Sequence, residues 1–463
     1  MTDSLALPPH LIFLAIGSIG DVRPLHLIAR ELHRRGHAVT LVALPGFEKT
    51  QDDGFELVTA PQDLAPELAK SKDVASWWAK TWIGRGFASW RAATPLVLRR
   101  TRWVQGFLRQ RRSQARLVVL ARSGLLGARI ARECADLFLI TVHHTPAAFR
   151  SRYESFVLPV PQGMNRVLRF ARSMLWQSMD IYVGALLRRP LNQYRRELAL
   201  PPIWRLFDKW VFSPDMNLAL FPEWYASPQP DWPANTWLAG FPLSDDKVGD
   251  SLPDDVQDFL RNGAPVVVFT RGSHSASGEE FFRIAAAVCL AQGWRGLILG
   301  PARESAQQRR NAFVLQVPFA SLAAVLPSAS VLVHHGGIGT CALALRAGVP
   351  QIIIPGVGDQ WDQAKRVVRL GCGSYLPLRS LNQARLASAM TSLLKNEVMQ
   401  ARCTQVANDC RSDGVSQAAS LIEFVGQLTA GQQETPACEV EATIKAVRDG
   451  NERCAVAAEV VEV

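Results

Sequence analysis

The stretch Val331-Leu332-Val333-His334-His335-Gly336-Gly337-Ile338-Gly339-Thr340 most narrows the folds open to this chain. An apolar run of strand length ends in two histidines, a glycine-rich turn follows, residues from about 339 suit a helix, and QIIIP at 351–355 starts another buried run. Strand, turn, helix and strand in that order make a βαβ unit, which requires a parallel sheet with helices on its faces. The same alternation predicts strands at 266–270 and 296–300 and a helix near 279–291. The beginning of the chain repeats the pattern. Residues 10–16 form an apolar run, Gly17-Ser18-Ile19-Gly20-Asp21 makes the turn, and helical spacing continues to Leu32. Gly36-His37 then stops the helix and 38–44 reads as a second buried strand. Further strands at 117–121 and 137–142, separated by a helical pattern over 125–134, extend this sheet.

A chain of 463 residues is too long for one ordinary core. The expected class is therefore α/β, with two doubly wound, Rossmann-like domains facing across a cleft. The N-terminal domain spans 1–225, with a helical insertion at about 151–200. A linker spans 226–264. Residues 221–245 carry five prolines and cannot form one helix, because proline lacks an amide donor and clashes with the preceding turn. The second domain spans 265–426. The tail, 427–463, has seven acids against three bases, little aromatic content and no strong period, and is expected to be weakly structured.

Hydrophobic residues at 48% and charged residues at 20% exclude a largely disordered chain. The net charge of +10 suits an anionic partner, but no zinc-finger or RNP pattern accompanies it, which argues against nucleic acid. One stretch combines Trp77, Trp78, Trp82, Trp90 and Trp103 with Arg99, Arg100, Arg102, Arg109, Arg111 and Arg112. It reads either as a basic amphipathic surface for anionic lipid headgroups or as a solvated helix with a tryptophan-lined core side. No apolar run reaches the roughly 18 residues of a spanning helix. The first residues lack the basic region of a secretory signal. The eight cysteines are scattered without metal-site spacing and read as reduced thiols. The expected location is cytoplasmic, with peripheral contact on the inner-membrane face left open.

Chemistry concentrates at the glycine turns. Glycines let the backbone approach a ligand, and a helix N-terminus offers unpaired N–H groups at the positive end of its dipole, so the 334–340 turn suits a diphosphate. His334 can donate to a phosphate oxygen and Thr340 can add a hydroxyl; the alternative is a tight turn with structural histidines. After the next strand, Asp359 and Gln360 stand at the same sheet edge, where they can bond sugar hydroxyls or cap a helix. Gly272 and Ser273, after the 266–270 strand, and Val317-Pro318-Phe319 are further loops able to face a nucleotide. No Walker-type phosphate loop is present.

These motifs resemble the nucleotide-sugar transferases of GT family 1, which have the GT-B fold and include sterol and macrolide glycosyltransferases. Gly17-Ser18-Ile19-Gly20-Asp21-Val22-x-Pro24 and Arg35-Gly36-His37-x-Val39-Thr40 are similar to theirs. LFPEWYASPQPDWP with AGFPL, FTRGS, and VHHGGIGT with GVPQIIIP look more narrowly like the rhamnosyltransferase chains of rhamnolipid synthesis. The resemblance runs over about 10–425. It implies that His334 and Gly339-Thr340, in the cradle with His335, Gly336 and Gly337, hold the diphosphate. Asp359 and Gln360 would hold the sugar and the 317–319 loop the base. His335 replaces a residue that varies among relatives. Gly17 and Ser18 fall on the acceptor side. A base must take the acceptor hydroxyl proton. Asp21 at the first strand end is the candidate, its other reading being a helix cap, and His143 and His144 are the alternatives.

The helix dipole, His334 and Thr340 would meet the leaving-group charge, so no metal is expected, and the nucleotide sugar is a co-substrate rather than a cofactor. A nicotinamide dehydrogenase is disfavoured, because Gly17-x-x-Gly20 lacks the third fingerprint glycine and the second strand ends without a ribose-binding acid. The implied reaction is inverting transfer of a hexose, with L-rhamnose from dTDP-L-rhamnose favoured, to a hydroxyl of a 3-(3-hydroxyalkanoyloxy)alkanoate lipid. The runner-up is a UDP-sugar glucosyltransferase acting on a sterol or polyketide.

Overall fold

The computed structural model of the chain describes residues 9–47, 53–65, 82–111, 116–156, 166–243, 252–261, 265–271, 278–301, 313–356, 358–411 and 413–431. The first half runs β1 (His10–Ala15), α1 (Ile19–Arg34), β2 (Val39–Ala43), β3 (Glu56–Thr59), α2 (Trp82–Arg111), β4 (Leu117–Arg122), α3 (Leu126–Cys134), β5 (Phe138–His143), α4 (Arg166–Glu197), β6 (Met216–Ala219) and β7 (Thr236–Leu238). Its seven strands are all parallel, in the order β3-β2-β1-β4-β5-β6-β7. The strands at the centre of this sheet are covered on both faces, which is why β1, β2 and β4 are continuous apolar runs rather than alternating ones.

The second half runs α5 (Asp254–Arg261), β8 (Val266–Thr270), α6 (Gly278–Gln292), β9 (Arg295–Leu299), β10 (Val314–Val317), α7 (Leu322–Val325), β11 (Ala329–His334), α8 (Ile338–Ala347), β12 (Gln351–Ile353), α9 (Gln360–Arg369), β13 (Gly373–Tyr375), α10 (Gln383–Leu394), α11 (Glu397–Asp409) and α12 (Gly414–Gly431). These six strands form a second parallel sheet, β10-β9-β8-β11-β12-β13. The chain thus has the two facing, doubly wound sheets expected of it. Each strand order reverses once, between β1 and β4 and between β8 and β11, and open α/β sheets bind ligands at such switch points.

A third body of core joins the halves. Phe149, Tyr225 and Phe241 pack in one cluster with Cys341, Ile353, Ala364 and Val367. Polar bonds reinforce it: the Tyr225 hydroxyl bonds Gln363, Arg366 donates to Glu154 at 2.6 Å, and Lys365 Nζ donates to the Phe156 carbonyl at 2.9 Å. Arg366 is itself buried and also held by Asp362 at 2.8 Å. Helix α9 is therefore fixed against the N-terminal domain along much of its length.

Two boundaries differ from the sequence reading. β7 lies within the expected 226–264 linker, yet it extends the first sheet through pairing with β6. Helix α12 follows the second sheet but returns to the first domain, where Ala418, Ala419 and Ile422 join the core under α1 and Arg35 and His37 both hold Glu423. A domain assigned by chain order misses such a return. The expected insertion at 151–200 contains the helix α4. Over residues 93–111, α2 has the packing of the solvated-helix reading. Thr101, Val104, Gln105 and Leu108 are buried, Trp103 stacks on Phe107, and Arg102 and Arg111 pair with Glu197 and Glu56. Trp77, Trp78 and Arg112 lie outside the described residues, as does most of the 427–463 tail. No helix among the described residues is long and apolar enough to cross a membrane.

Candidate functional site

At the first switch point, β1 delivers the chain into α1 through Gly17 and Ser18. Asp21, in the first turn of α1, reaches back to accept from the Ser18 N–H at 2.9 Å and from its hydroxyl at 3.0 Å. The carboxylate thus satisfies donors that a helix start leaves open. Glycine at 17 is obligatory here, since a Cβ would stand 2.4 Å from Asp21 Oδ2. The same oxygen meets Arg122 at 2.6 Å, and Arg122 is the last residue of β4, the other strand of the switch point. Burial pushes the Asp21 carboxyl up, but Arg122, His144 and the two Ser18 bonds outweigh it, so the group stays ionised below the usual carboxylate range. Asp21 is accordingly both a helix-closing residue and an ion-paired carboxylate at the sheet edge.

His143 and His144 divide between core and site. His143 is buried against Phe149 and Phe212, with Nε2 at 3.2 Å from Asn217 Oδ1, and burial lowers its pKa to about 4. It ends β5 at the same sheet edge and feels the Arg122 charge, but its ring is turned into the core toward Asn217. His144 follows it out of β5 and is close enough to Asp21 and Arg122 for both charges to act on it. Burial first, then Arg122, holds it neutral with a pKa of about 4.

At the second switch point, His334 closes β11 in a fully enclosed position. Its Nε2 is 3.0 Å from Gln351 Oε1 on β12, and its Nδ1 accepts the Gly336 N–H at 3.2 Å. Gln351 in turn donates to the Cys341 carbonyl at 3.3 Å. Both His334 nitrogens are thus engaged within the protein, and burial lowers its pKa to about 3. This is the geometry of the structural-histidine reading. His335 is placed differently: its ring lies over the start of α8, so that a Cβ on Gly337 would come within 2.9 Å of Nε2. Its Nδ1 has no hydrogen-bond partner among the described residues. Burial and then the neighbouring Arg271 lower its pKa to about 4. Arg271 follows β8, the other strand of this switch point, and its buried guanidinium stands over the Phe281 ring.

The α8 N-terminus is itself uncapped. Gly337 is the N-cap, no side chain among the described residues makes a capping bond there, and no acid lies in the first turn. Gly339 and Thr340 sit there partly open to solvent. Asp359 occupies the N-cap position of α9 without making a side-chain capping bond, whereas Gln360 turns back to accept from the Gly356 N–H at 2.8 Å. The Asp359 carboxyl is open to solvent yet surrounded by protein, as befits a group on a cleft wall. Burial and then Asp362 raise its pKa to about 6, while Arg122 and Asp21 of the other domain also act on it. Asp21, Arg122, His144 and Asp359 therefore share one electrostatic neighbourhood across the cleft. Val317 ends β10 inside the core and Phe319 beyond it is 73% exposed, a free aromatic face at the same edge. Gly272 and Ser273 lie outside the described residues. Among the described residues no group of three His, Cys, Asp or Glu side chains is arranged to hold a metal ion.

Sequence reasoning missed Arg122 and Gln351, and it placed Arg271 in a loop able to face a nucleotide without giving it a role of its own. The two arginines carried a usable signal, since each follows an apolar run and so marks the carboxyl end of a buried strand. Gln351 carried none, because its role depends on a partner in the neighbouring strand.

Residues 306–427 match the model of the erythromycin biosynthesis protein CIII-like C-terminal domain. The chain is 27% identical over 432 residues to an uncharacterized glycosyltransferase of Mycobacterium leprae, covering 88% of this chain and 95% of that one. The structure aligns with the glycotransferase of kitacinnamycin at a TM-score of 0.69 and 22% identity, covering 90% and 99% of the two chains. It aligns with a spinosyn rhamnosyltransferase complexed with thymidine diphosphate at 0.61 and 17%, covering 89% and 99%.

Proposed function

Taking the chain as a GT-B glycosyltransferase of family 1, we propose that its second domain holds a nucleoside-diphosphate sugar and its first domain presents an acceptor hydroxyl to Asp21. The observation that carries this reading is the uncapped α8 N-terminus, with the His335 ring beside it and its buried Nδ1 unpartnered among the described residues, facing an ionised carboxylate across the cleft. The diphosphate takes the N–H groups at Gly339 and Thr340, the Thr340 hydroxyl and the His335 imidazole. Phe319 offers its face to the base, and Asp359 and Gln360 bond the sugar hydroxyls. His334 holds β11, β12 and the turn in register beneath the ligand.

Transfer is a single displacement. Asp21 takes the acceptor hydroxyl proton, the acceptor oxygen forms its bond to the anomeric carbon, and the bond from that carbon to the phosphate oxygen breaks on the opposite face. The nucleoside diphosphate leaves with the bonding electrons, its added charge met by the α8 dipole and Arg271. Inversion at the anomeric carbon follows from one displacement, and the charges of the protein suffice without a metal. Arg122 keeps Asp21 ionised at neutral pH, the state a base requires.

For the narrower identity, we favour L-rhamnose from dTDP-L-rhamnose and a hydroxylated lipid acid as acceptor. The sequence resemblance supports this, as does likeness in fold to a rhamnosyltransferase that binds thymidine diphosphate. The test offers dTDP-L-rhamnose or UDP-glucose with a 3-(3-hydroxyalkanoyloxy)alkanoate and follows glycolipid by mass spectrometry. A rhamnosylated lipid is expected. Glucosylation alone would overturn the donor assignment, and failure to bind dTDP or UDP in calorimetry would remove the α8 cradle from the mechanism.

A further inference from the structure

Helix α4 leaves several large apolar side chains uncovered on its outward side. Its inward side carries Val183, Leu187, Leu191 and Tyr194 together with Arg172 and Arg195, whereas its outward side mixes arginines, Gln177 and Ser178 with a set of large apolar side chains. Val167 is 74% exposed, Phe170 67% and Ile181 71%, with Met174 also exposed between them. Intervals of three and four residues align Val167, Phe170 and Met174 over about 10 Å of the helix, and Ile181 continues the line one turn beyond the exposed Gln177 and Ser178. Trp204 extends the apolar surface near the far end, where Arg188 stands over its ring. A soluble helix normally points such residues at a core, so a stripe of this length calls for a partner.

Charge narrows the choice of partner. The helix carries seven arginines and two acids, and both acids are engaged: Asp180 with Arg150 and Glu197 with Arg102. Arg166 and Arg189 are exposed beside the two ends of the stripe. Apolar side chains flanked by arginines, with a tryptophan at the margin, match an interfacial helix lying on anionic headgroups. Position supports the same occupant. The inner side of α4 is tied to the loop that leaves β5 at the cleft, through Arg172 to the Arg152 carbonyl and Trp176 to the Ser151 carbonyl. Glu154 in that loop is the residue that binds Arg366 and Arg369 of α9.

We propose that the outward stripe of α4, Val167, Phe170, Met174 and Ile181, docks the protein on an anionic lipid bilayer beside the mouth of the cleft, so that an acceptor with an alkyl chain enters from the membrane. The inference rests on the proposed lipid acceptor for its purpose, but the docking itself is independent of which sugar is moved. It is separate from α2, whose Val104 and Leu108 are spent on the core.

The test is sedimentation of the full chain with vesicles of phosphatidylglycerol and phosphatidylethanolamine, against vesicles of phosphatidylcholine alone. Wild type is expected to pellet with the anionic vesicles and to dissociate as salt rises. The double variant Phe170→Glu, Ile181→Glu should bind at least about tenfold less, because both positions meet charge repulsion and lose apolar contact. Both residues are exposed, so the fold, read by thermal unfolding, and dTDP binding should be unchanged. The proposal is overturned if wild type stays in the supernatant, or if the variant pellets as wild type does. It is equally overturned if the variant converts a dimer to a monomer in analytical ultracentrifugation with vesicle binding intact. A failed transfer assay with normal vesicle binding would sink the acceptor assignment and leave the docking surface standing.

Discussion

The two strand-to-helix turns that face each other across the cleft are nearly the same in sequence and opposite in disposition. The first runs Gly17-Ser18-Ile19-Gly20-Asp21 and the second Gly336-Gly337-Ile338-Gly339-Thr340. Both follow a buried strand at a switch point, and in both the isoleucine is the first helical residue. The difference lies two residues later. In the first turn the carboxylate of Asp21 bonds Ser18 and neutralises the helix dipole from within. In the second, threonine replaces aspartate, no side chain among the described residues caps the helix, and the positive end is the one we propose takes the diphosphate. A glycine turn alone does not make a phosphate site; what the protein does with the helix N-terminus decides it.

The comparison breaks most sharply at Asp21. Asp21→Asn keeps an acceptor for the Ser18 N–H but removes the base, so kcat should fall by about 10²- to 10⁴-fold in a single-turnover assay. Donor affinity should hold, and the lost pair with Arg122 should cost about 1 kcal/mol or less in denaturant titration. If transfer survives, His144 becomes the next residue to test. Thr340→Asp remakes the second turn in the image of the first. It should lower dTDP affinity by at least about tenfold in calorimetry, while stabilising the helix by roughly 0.5 kcal/mol. Undiminished dTDP binding would mean the diphosphate lies elsewhere.

The two histidines of the second turn should separate next. His335→Ala is expected to weaken dTDP binding by about tenfold, the worth of a hydrogen bond to a charged group, with little change in Tm. His334→Ala leaves Gln351 and the Gly336 N–H without their partner and should cost about 1–3 kcal/mol of stability. A reversed pattern, with affinity lost at His334 and stability at His335, would return the grip to His334.

The smallest effect is a shared one. His143, His144, His334 and His335 titrate at about 3 to 4 when folded against 6.5 unfolded, all lowered chiefly by burial. Between those values the unfolded chain binds more protons, so stability is fully present above pH 6.5 and is lost as pH falls toward 4. Asp359, raised to about 6, opposes this, since its contribution is lost as pH rises from 3.8 through 6. With four sites against one, denaturant titrations should show stability falling from pH 6.5 to 5 by roughly 1 kcal/mol per unit or more. A flat profile would show that the histidines are not buried as neutral groups.

The sequence by itself determined the strands at both sheet centres, the two glycine turns and the two-domain parallel architecture, because a doubly covered strand must be apolar throughout and a tight turn needs glycine. These constraints act within a few residues and so can be read locally. β7 and β13 escaped because three residues at a sheet margin carry too little pattern. What only the tertiary structure decided is which neighbour each group meets. His334 and His335 are adjacent in sequence, yet Gln351 claims one while the other is left over α8. Arg122 became Asp21's partner through strand order, α12 returned to the first domain, and α4 left Phe170 and Ile181 uncovered. Periodicity tells that a helix has two faces, but only packing across the fold settles which of them is covered and by what.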